Sequence, residues 1–317
     1  MSAPAIHPSA TIHPTAVVGG AVTIEADVEI GPHCTIDGSV SIGRGTRLIG
    51  HVWLQGPLRL GTDNQLHPFV ALGQPPQDLK WDPRVPGAGI VVGDRNVFRE
   101  GVTVNRATSH DEPTRIGDDN FWMGNSHLGH DGVVGNHCIF ANGTLLAGHV
   151  RIGDRVVTGG NATIHQFVTV GRGVMFSGLV GVGKDIPPFF MVTGINQTGA
   201  VNLIGMRRAG LDSASIDDVR WCHKILCRSN LTVARAVEVL RERGDRPLVR
   251  EIREFVESAK RGICLAYPKP IRGATEPKDA SELPDPSRAG DASPSARAAP
   301  SVSTEGGARD SGSGERR

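Results

Sequence analysis

A six-residue period dominates this chain. Stepping by six from Ile6 lands on Ile12, Val18, Ile24, Ile30, Ile36, Ile42, Leu48, Leu54, Leu60, Leu66 and Leu72 without a miss. After a break the period returns at Val92, Phe98 and Val104. It resumes at Ile116 and runs through Trp122, Leu128, Val134, Phe140, Leu146, Ile152, Thr158, Ile164, Val170, Phe176 and Val182, with Thr158 the one polar member. A helix repeats every 3.6 residues and a strand every 2, so a strict six is neither. If each unit is a short strand, its first and fifth residues share a face. The fifth is small or β-branched at Ala10, Ala16, Val22, Val28, Cys34 and Val40, and glycine often follows the leading residue, as at Gly19, Gly31, Gly43, Gly61 and Gly73. Three units then close a coil of about 18 residues, and stacked coils hydrogen-bond as a parallel β-helix. An ordinary β-sandwich would not impose such a period.

Composition agrees with a mainly β chain. There are 41 glycines and only 4% aromatic residues, while 38% hydrophobic content suffices for a core. The net charge of +1 gives no general attraction to nucleic acid. The five cysteines, Cys34, Cys138, Cys222, Cys227 and Cys264, form no C-x-x-C pair and read as reduced thiols. With no signal-like start and no 18-residue apolar run, the expectation is a cytoplasmic protein without a membrane span.

Two stretches, 73–90 and 105–115, interrupt the period and must leave the solenoid as loops, which commonly carry binding groups. The period ends after Asp185-Ile186-Pro187-Pro188. Helical patterns follow over 215–228, 232–243 and 248–260, the first opening on a capping-box-like Ser215-x-x-Asp218. These helices are expected to cover the open end of the solenoid. The expected domains are a β-helix over 1–190, a helical segment over 191–267, and a Pro-, Ser-, Ala-, Gly- and Arg-rich tail over 268–317 too poor in apolar residues to order itself.

Most of the twelve histidines read as surface or corner residues. His130, His149 and His165 differ, because separations of 19 and 35 approximate one and two coils. They should share one edge of the prism, with His127 beside them. Such an edge is a metal site, an acid/base site or a ladder of stacked polar residues. Three imidazoles with an open position would suit zinc. For acid/base work, the His130-Asp131 pair suffices: an imidazole titrating near neutrality takes a proton from an attacking hydroxyl. The N–H of Gly148, one rung on, is a candidate oxyanion donor.

Several motifs narrow the choice: Asn125-Ser126-His127-Leu128-Gly129-His130-Asp131, Leu146-Ala147-Gly148-His149-Val150, Ile164-His165-Gln166-Phe167, Gln77-Asp78-Leu79-Lys80, Asp185-Ile186-Pro187-Pro188, and Val201-Asn202-Leu203-Ile204-Gly205-Met206-Arg207-Arg208. In order, they resemble the hexapeptide-repeat UDP-N-acetylglucosamine O-acyltransferases that begin lipid A synthesis. The resemblance implies a left-handed β-helix, an exception to the right-handed crossover rule. It also implies a cytoplasmic homotrimer with its site between subunits. Such an enzyme moves a 3-hydroxyacyl group from acyl carrier protein to UDP-N-acetylglucosamine without metal or organic cofactor.

By that resemblance His130 is the general base, Asp131 orients it, and the Gly148 N–H holds the oxyanion. Gln77, Asp78, Lys80, His127, His149, His165 and Gln166 bind the sugar, diphosphate or acyl-pantetheine, and Asn202 and Arg208 serve the nucleotide end. The family's acidic residue two places after the asparagine is here Ile204. Gly178 stands where acyl length is set, with Phe176 near enough to narrow the groove. An N-acyltransferase on an amino-sugar nucleotide is the nearest alternative, though relatives of that kind carry an extra N-terminal domain and the repeats here begin at Ile6. A zinc hydratase of the β-helical carbonic anhydrase type would use H-x-x-x-x-H rather than the H-x-x-H found. A non-enzymatic scaffold would bind neither substrate.

Overall fold

The computed structural model describes residues 3–265 apart from 83 and 245; the tail expected over 268–317 lies outside them. The repeats form three faces. Two are parallel nine-stranded sheets and the third is an eleven-stranded sheet with an antiparallel last pair. Strands are two to five residues long, and their leading residues stack in register: Ile24 follows Ile6, Ile42 follows Ile24 and Leu60 follows Ile42 on the first face. The register then steps from Leu60 to Val92 and from Val92 to Ile116, because the two interruptions loop out.

One coil shows why this sequence folds so. Ile24, Val28, Ile30, Cys34, Ile36 and Val40 all point inward and are buried, first and fifth residues of three successive units. Corners are turned by left-handed residues, among them Asp27 at φ 59° and His33 at φ 56°. Each such residue costs on the order of 1–3 kcal/mol, whereas each buried aliphatic side chain contributes roughly 1.5–3 kcal/mol. Six buried side chains outweigh two strained turns. The glycine after the leading residue is required by stacking: a Cβ on Gly43 would stand 2.5 Å from the Gly61 backbone of the next coil. On the second face the inward column becomes aromatic, with Trp122 between Phe98 and Phe140 at ring distances of 6.0 and 4.2 Å. The polar member, Thr158, is buried but satisfied, its Oγ1 lying 2.7 Å from Thr144 Oγ1 and accepting from Ala141 N.

Both interruptions leave between the third face and the first, on successive coils. The hairpin Phe190–Gly194 and Gln197–Val201 closes the second face, its first strand pairing in parallel with Met175–Phe176. Four helices follow: α1 (Leu203–Arg208), α2 (Ser213–Arg228), α3 (Val233–Glu242) and α4 (Pro247–Ser258). The last three lie close to the expected spans, whereas the hairpin and α1 carry too few periodic residues to show in the sequence. The expected capping box is not the cap. Asp212 caps α2 by accepting from Ser215 N at 2.7 Å, and Asp218 is buried on the helix against Arg246 at 2.6 Å. Arg172 of the last coils binds Glu251 of α4 through two bonds of 2.7 and 2.8 Å. His223 of α2 packs edge-on against Phe190, and burial pushes its imidazole down to about 4, so it sits neutral in the core.

Candidate active site

The corner between the third and first faces carries the predicted cluster. Counting from each leading residue, Asp131, His149 and Phe167 occupy the same turn position on three successive coils, at φ 58°, 60° and 64°. One place earlier stand His130, Gly148 and Gln166. His165 is one place earlier still and belongs to a different column; its Nδ1 lies 3.3 Å from Gln166 O. A spacing of 19 and then 16 puts the three imidazoles on one edge without stacking all of them.

His130 Nδ1 lies 2.7 Å from Asp131 Oδ2. A carboxylate only accepts, so Nδ1 carries the proton and Nε2 of the neutral ring is the acceptor. Nε2 faces Gly148: a Cβ there would come within 2.8 Å of both Nε2 and Cε1. Glycine at 148 is thus what lets the Nε2 end of the His130 ring approach the next rung. Burial would push the Asp131 carboxyl up, but hydrogen bonds from His130, Thr108 and Ser109 outweigh it and hold the group well below the usual carboxylate range. His149 sets its ring edge-to-face against His130 at 5.1 Å and stacks on Phe167 at 4.5 Å, with Nε2 3.7 Å from Asp131 Oδ2. Burial lowers its pKa, against the pull of the Asp131 charge. His127 lies on the strand before the corner, bonded through Nδ1 to Thr103 Oγ1 at 2.8 Å; burial again favours its neutral form.

A groove of about 950 Å³ runs past these residues. Its floor includes the outward column of the third face, Thr103, His127, Leu145, Thr163 and Gly181, which are register partners from coil to coil. Gln77, His130, Gly148, His165 and Gln166 line it too, as do Ile195 and Asn196 of the hairpin turn. Asp78 and Lys80 stand on the exposed part of the first loop, where Asp78 Oδ1 accepts from Lys80 N at 2.9 Å, and the Asp78 charge is felt at His149. Asn202 and Arg208 line a different cavity of about 310 Å³, together with Arg155 and Arg172. Asn202 is buried and caps α1, accepting from Gly205 N and donating to Gly173 O, while Arg208 is exposed in the last turn. Ile204 is exposed in the same helix. Phe176 is fully buried in the core and so cannot narrow the groove; Gly178 lies exposed on the surface.

One ligand atom from each of His130, Asp131 and His149 lies within 4.8 Å of the others, the one such group among the described residues that could hold a metal ion. Asp131 Oδ2 already accepts from His130 and from the Thr108 hydroxyl, so a cation would have to displace the bond that fixes the imidazole. The donor set fits a proton-transfer dyad better than a metal centre.

Sequence reasoning missed Thr103, Thr108, Ser109 and Asn105, the last of which also lines the groove. Thr103 had a signal, since it precedes His127 by 24 residues, one coil of 18 plus the six by which the second insertion lengthens the step from Val104 to Ile116. Thr108 and Ser109 lie inside that insertion, where no repeat phase locates them.

A parallel β-helix with a histidine–carboxylate pair facing a glycine above a surface groove agrees with the class of hexapeptide-repeat acyltransferases that the sequence motifs resemble. A family model described as "Udp N-acetylglucosamine O-acyltransferase; Domain 2" matches residues 185–264. The acyl-[acyl-carrier-protein]–UDP-N-acetylglucosamine O-acyltransferase of Stutzerimonas stutzeri is 39% identical over 256 residues, 80% of this chain and 98% of the relative. The crystal structure of the Francisella novicida UDP-N-acetylglucosamine acyltransferase superposes with a TM-score of 0.72 at 29% identity, covering 83% of this chain and 94% of that one. Its Bacteroides fragilis counterpart gives 0.71 at 34% identity, covering 81% and 99%. The chain belongs to the UDP-N-acetylglucosamine O-acyltransferase family. Among the described residues no helix is long and apolar enough to cross a membrane.

Proposed function

We propose that this chain transfers a 3-hydroxyacyl group from acyl carrier protein to the 3-hydroxyl of UDP-N-acetylglucosamine, the first step of lipid A synthesis. The observation that carries the mechanism is the His130 ring, tied through Nδ1 to Asp131 and turned through Nε2 toward Gly148 inside the groove. Nε2 takes the proton of the sugar hydroxyl as its oxygen attacks the thioester carbonyl. The negative charge gathers on the carbonyl oxygen, where the Gly148 N–H donates to it. Collapse restores the carbonyl and breaks the carbon–sulfur bond, and the proton on Nε2 passes to the departing thiolate. Asp131 stays ionised throughout and stabilises the imidazolium between the two transfers.

His127, His149, His165, Gln166 and Gln77 bind the sugar and acyl-pantetheine, and Asp78 and Lys80 approach from the loop. The acyl chain follows the groove from His127 past Leu145 and Thr163 to Gly181, where the column ends without a side chain. Asn202 and Arg208 line another cavity of the chain. A homotrimer with its site between neighbouring copies, as the family resemblance implies, would let both regions serve one site; since Asn202 is committed to capping α1, it serves there by placing Arg208. We place the reaction in the cytoplasm, where the five free thiols, four of them buried, remain reduced.

The test is product formation by the purified full chain from 3-hydroxyacyl-loaded acyl carrier protein and UDP-N-acetylglucosamine. Product acylated at the 3-oxygen is expected. Absence of product across a panel of acyl lengths, or acylation only of an amine, would overturn the reading.

A further inference from the structure

The Asp131 carboxylate draws most of its partners from outside the repeat. His130 supplies one bond. The rest come from the second insertion, between the strands Thr103–Asn105 and Thr114–Ile116. The Thr108 hydroxyl donates to Oδ2 at 2.7 Å, the Thr108 N–H lies 3.0 Å from Oδ1 and 3.2 Å from Oδ2, and the Ser109 N–H donates to Oδ1 at 3.1 Å. That insertion is anchored in turn by the first one. Ala107 N donates to Gly89 O at 3.2 Å, Ala88 N donates to Ser109 O at 2.8 Å, and Asn105 Nδ2 donates to Pro75 O at 2.7 Å.

Two backbone N–H groups would be enough to fasten a loop to a carboxylate. The hydroxyl does something more specific, because it binds the same oxygen that receives His130 Nδ1–H. Asp131 is held at a left-handed turn, its carboxylate gripped by the Thr108 hydroxyl and the two backbone N–H groups, and His149 Nε2 lies 3.7 Å from Oδ2. The Thr108 hydroxyl and the His130 Nδ1–H are the two short contacts to Oδ2, each at 2.7 Å, so the hydroxyl helps set the direction from which that oxygen meets the imidazole.

We propose that Thr108 is a positioning residue for the acyl transfer: its hydroxyl, acting through Asp131, holds His130 in the orientation and tautomer that leave Nε2 free to take a proton. The inference rests on His130 being the general base. It makes the second insertion part of the reaction machinery and the first insertion its brace.

The test compares Thr108→Val, Thr108→Ser, Asp131→Asn and the Thr108→Val/Asp131→Asn double variant in the full chain, with Thr108→Ala as a smaller substitute should valine disturb the loop. Thr108→Val and Thr108→Ala are expected to lower kcat by about 10- to 100-fold while KM for both substrates moves less than about twofold. Thr108→Ser should recover to within about threefold of wild type. In the Asp131→Asn background, Thr108→Val should cost less than about twofold, since the carboxylate it serves is gone. A kcat within twofold of wild type for both Val and Ala, failure of Ser to rescue, or an undiminished loss on top of Asp131→Asn would each overturn the role of Thr108. A His130→Ala variant at the wild-type rate would instead overturn the general-base reading, and the inference with it.

Discussion

Two corners of the prism are built from the same turn and carry different side chains. At the corner after the second face, His33, His51 and Phe69 occupy the left-handed turn position at φ 56°, 51° and 67°, and their rings stack at 4.9 and 5.3 Å. At the corner after the third face, Asp131, His149 and Phe167 occupy that same position with nearly the same φ. The preceding turn residues differ. They are Pro32, Gly50 and Pro68 on the first corner, and His130, Gly148 and Gln166 on the second. Turn geometry alone therefore yields a ladder of rings. Chemistry needs in addition a second histidine beside a carboxylate, a glycine for it to lie against, and insertions that supply donors.

If that contrast is right, removing His130 should reduce the active corner to something like the other one. His130→Ala is expected to lower kcat by about 10²- to 10⁴-fold, the span of general-base catalysis, without loss of fold. Rates measured on a variant with a wild-type far-ultraviolet spectrum and oligomeric state check it. A near-normal rate would make the two corners equivalent.

Asp131→Asn should cost less, about 10²- to 10³-fold in kcat, because the imidazole remains but loses its charged partner. The same change alters stability. The Asp131 carboxyl has its folded-state pKa depressed, so its contribution is fully present above the unfolded value of about 3.9 and is lost as pH falls through the folded value. Acid unfolding of Asp131→Asn should therefore be less steep below about pH 4 than that of wild type, which an acid titration followed by circular dichroism measures. Parallel curves would mean the carboxylate is not specially held.

Gly148→Ala sharpens the comparison from the other side. A methyl group at 2.8 Å from the His130 ring must move the imidazole or the rung. A displacement below 1 Å is enough to cost about 10- to 100-fold in kcat. Gly50→Ala, at the same turn position on the other corner but at φ 157°, should cost stability and leave the rate alone.

The contrast also explains what the sequence could and could not show. Periodicity reports side chains that repeat, so the three faces and the edge shared by His130, His149 and His165 were legible from spacing. The order within the edge was not, because one residue of offset moves a side chain to another turn column, and His165 did move. Thr108, Ser109 and the hairpin that contributes Ile195 lie where the period has stopped, and their positions follow from hydrogen bonds that no spacing encodes. The capping of α2 failed for a similar reason: Asp212 and Ser215 both offer cap chemistry, and the burial of Asp218 against Arg246 decides between them.

The smallest effect is expected at the other corner. His51 stacks between His33 and Phe69 on the outside of the molecule, where the rings are largely exposed. Replacing it with alanine removes two ring contacts, worth about 1 kcal/mol or less at a solvated position, and touches neither the groove nor the dyad. His51→Ala should thus lower the melting temperature by a few degrees at most and keep kcat within about twofold of wild type. His149→Ala, the same substitution at the same turn position one corner away, should lower activity well beyond that. Equal rates for the two alanine variants would show that His149 is only another ring in a ladder, and the difference between the corners would then rest on His130 and Asp131 alone.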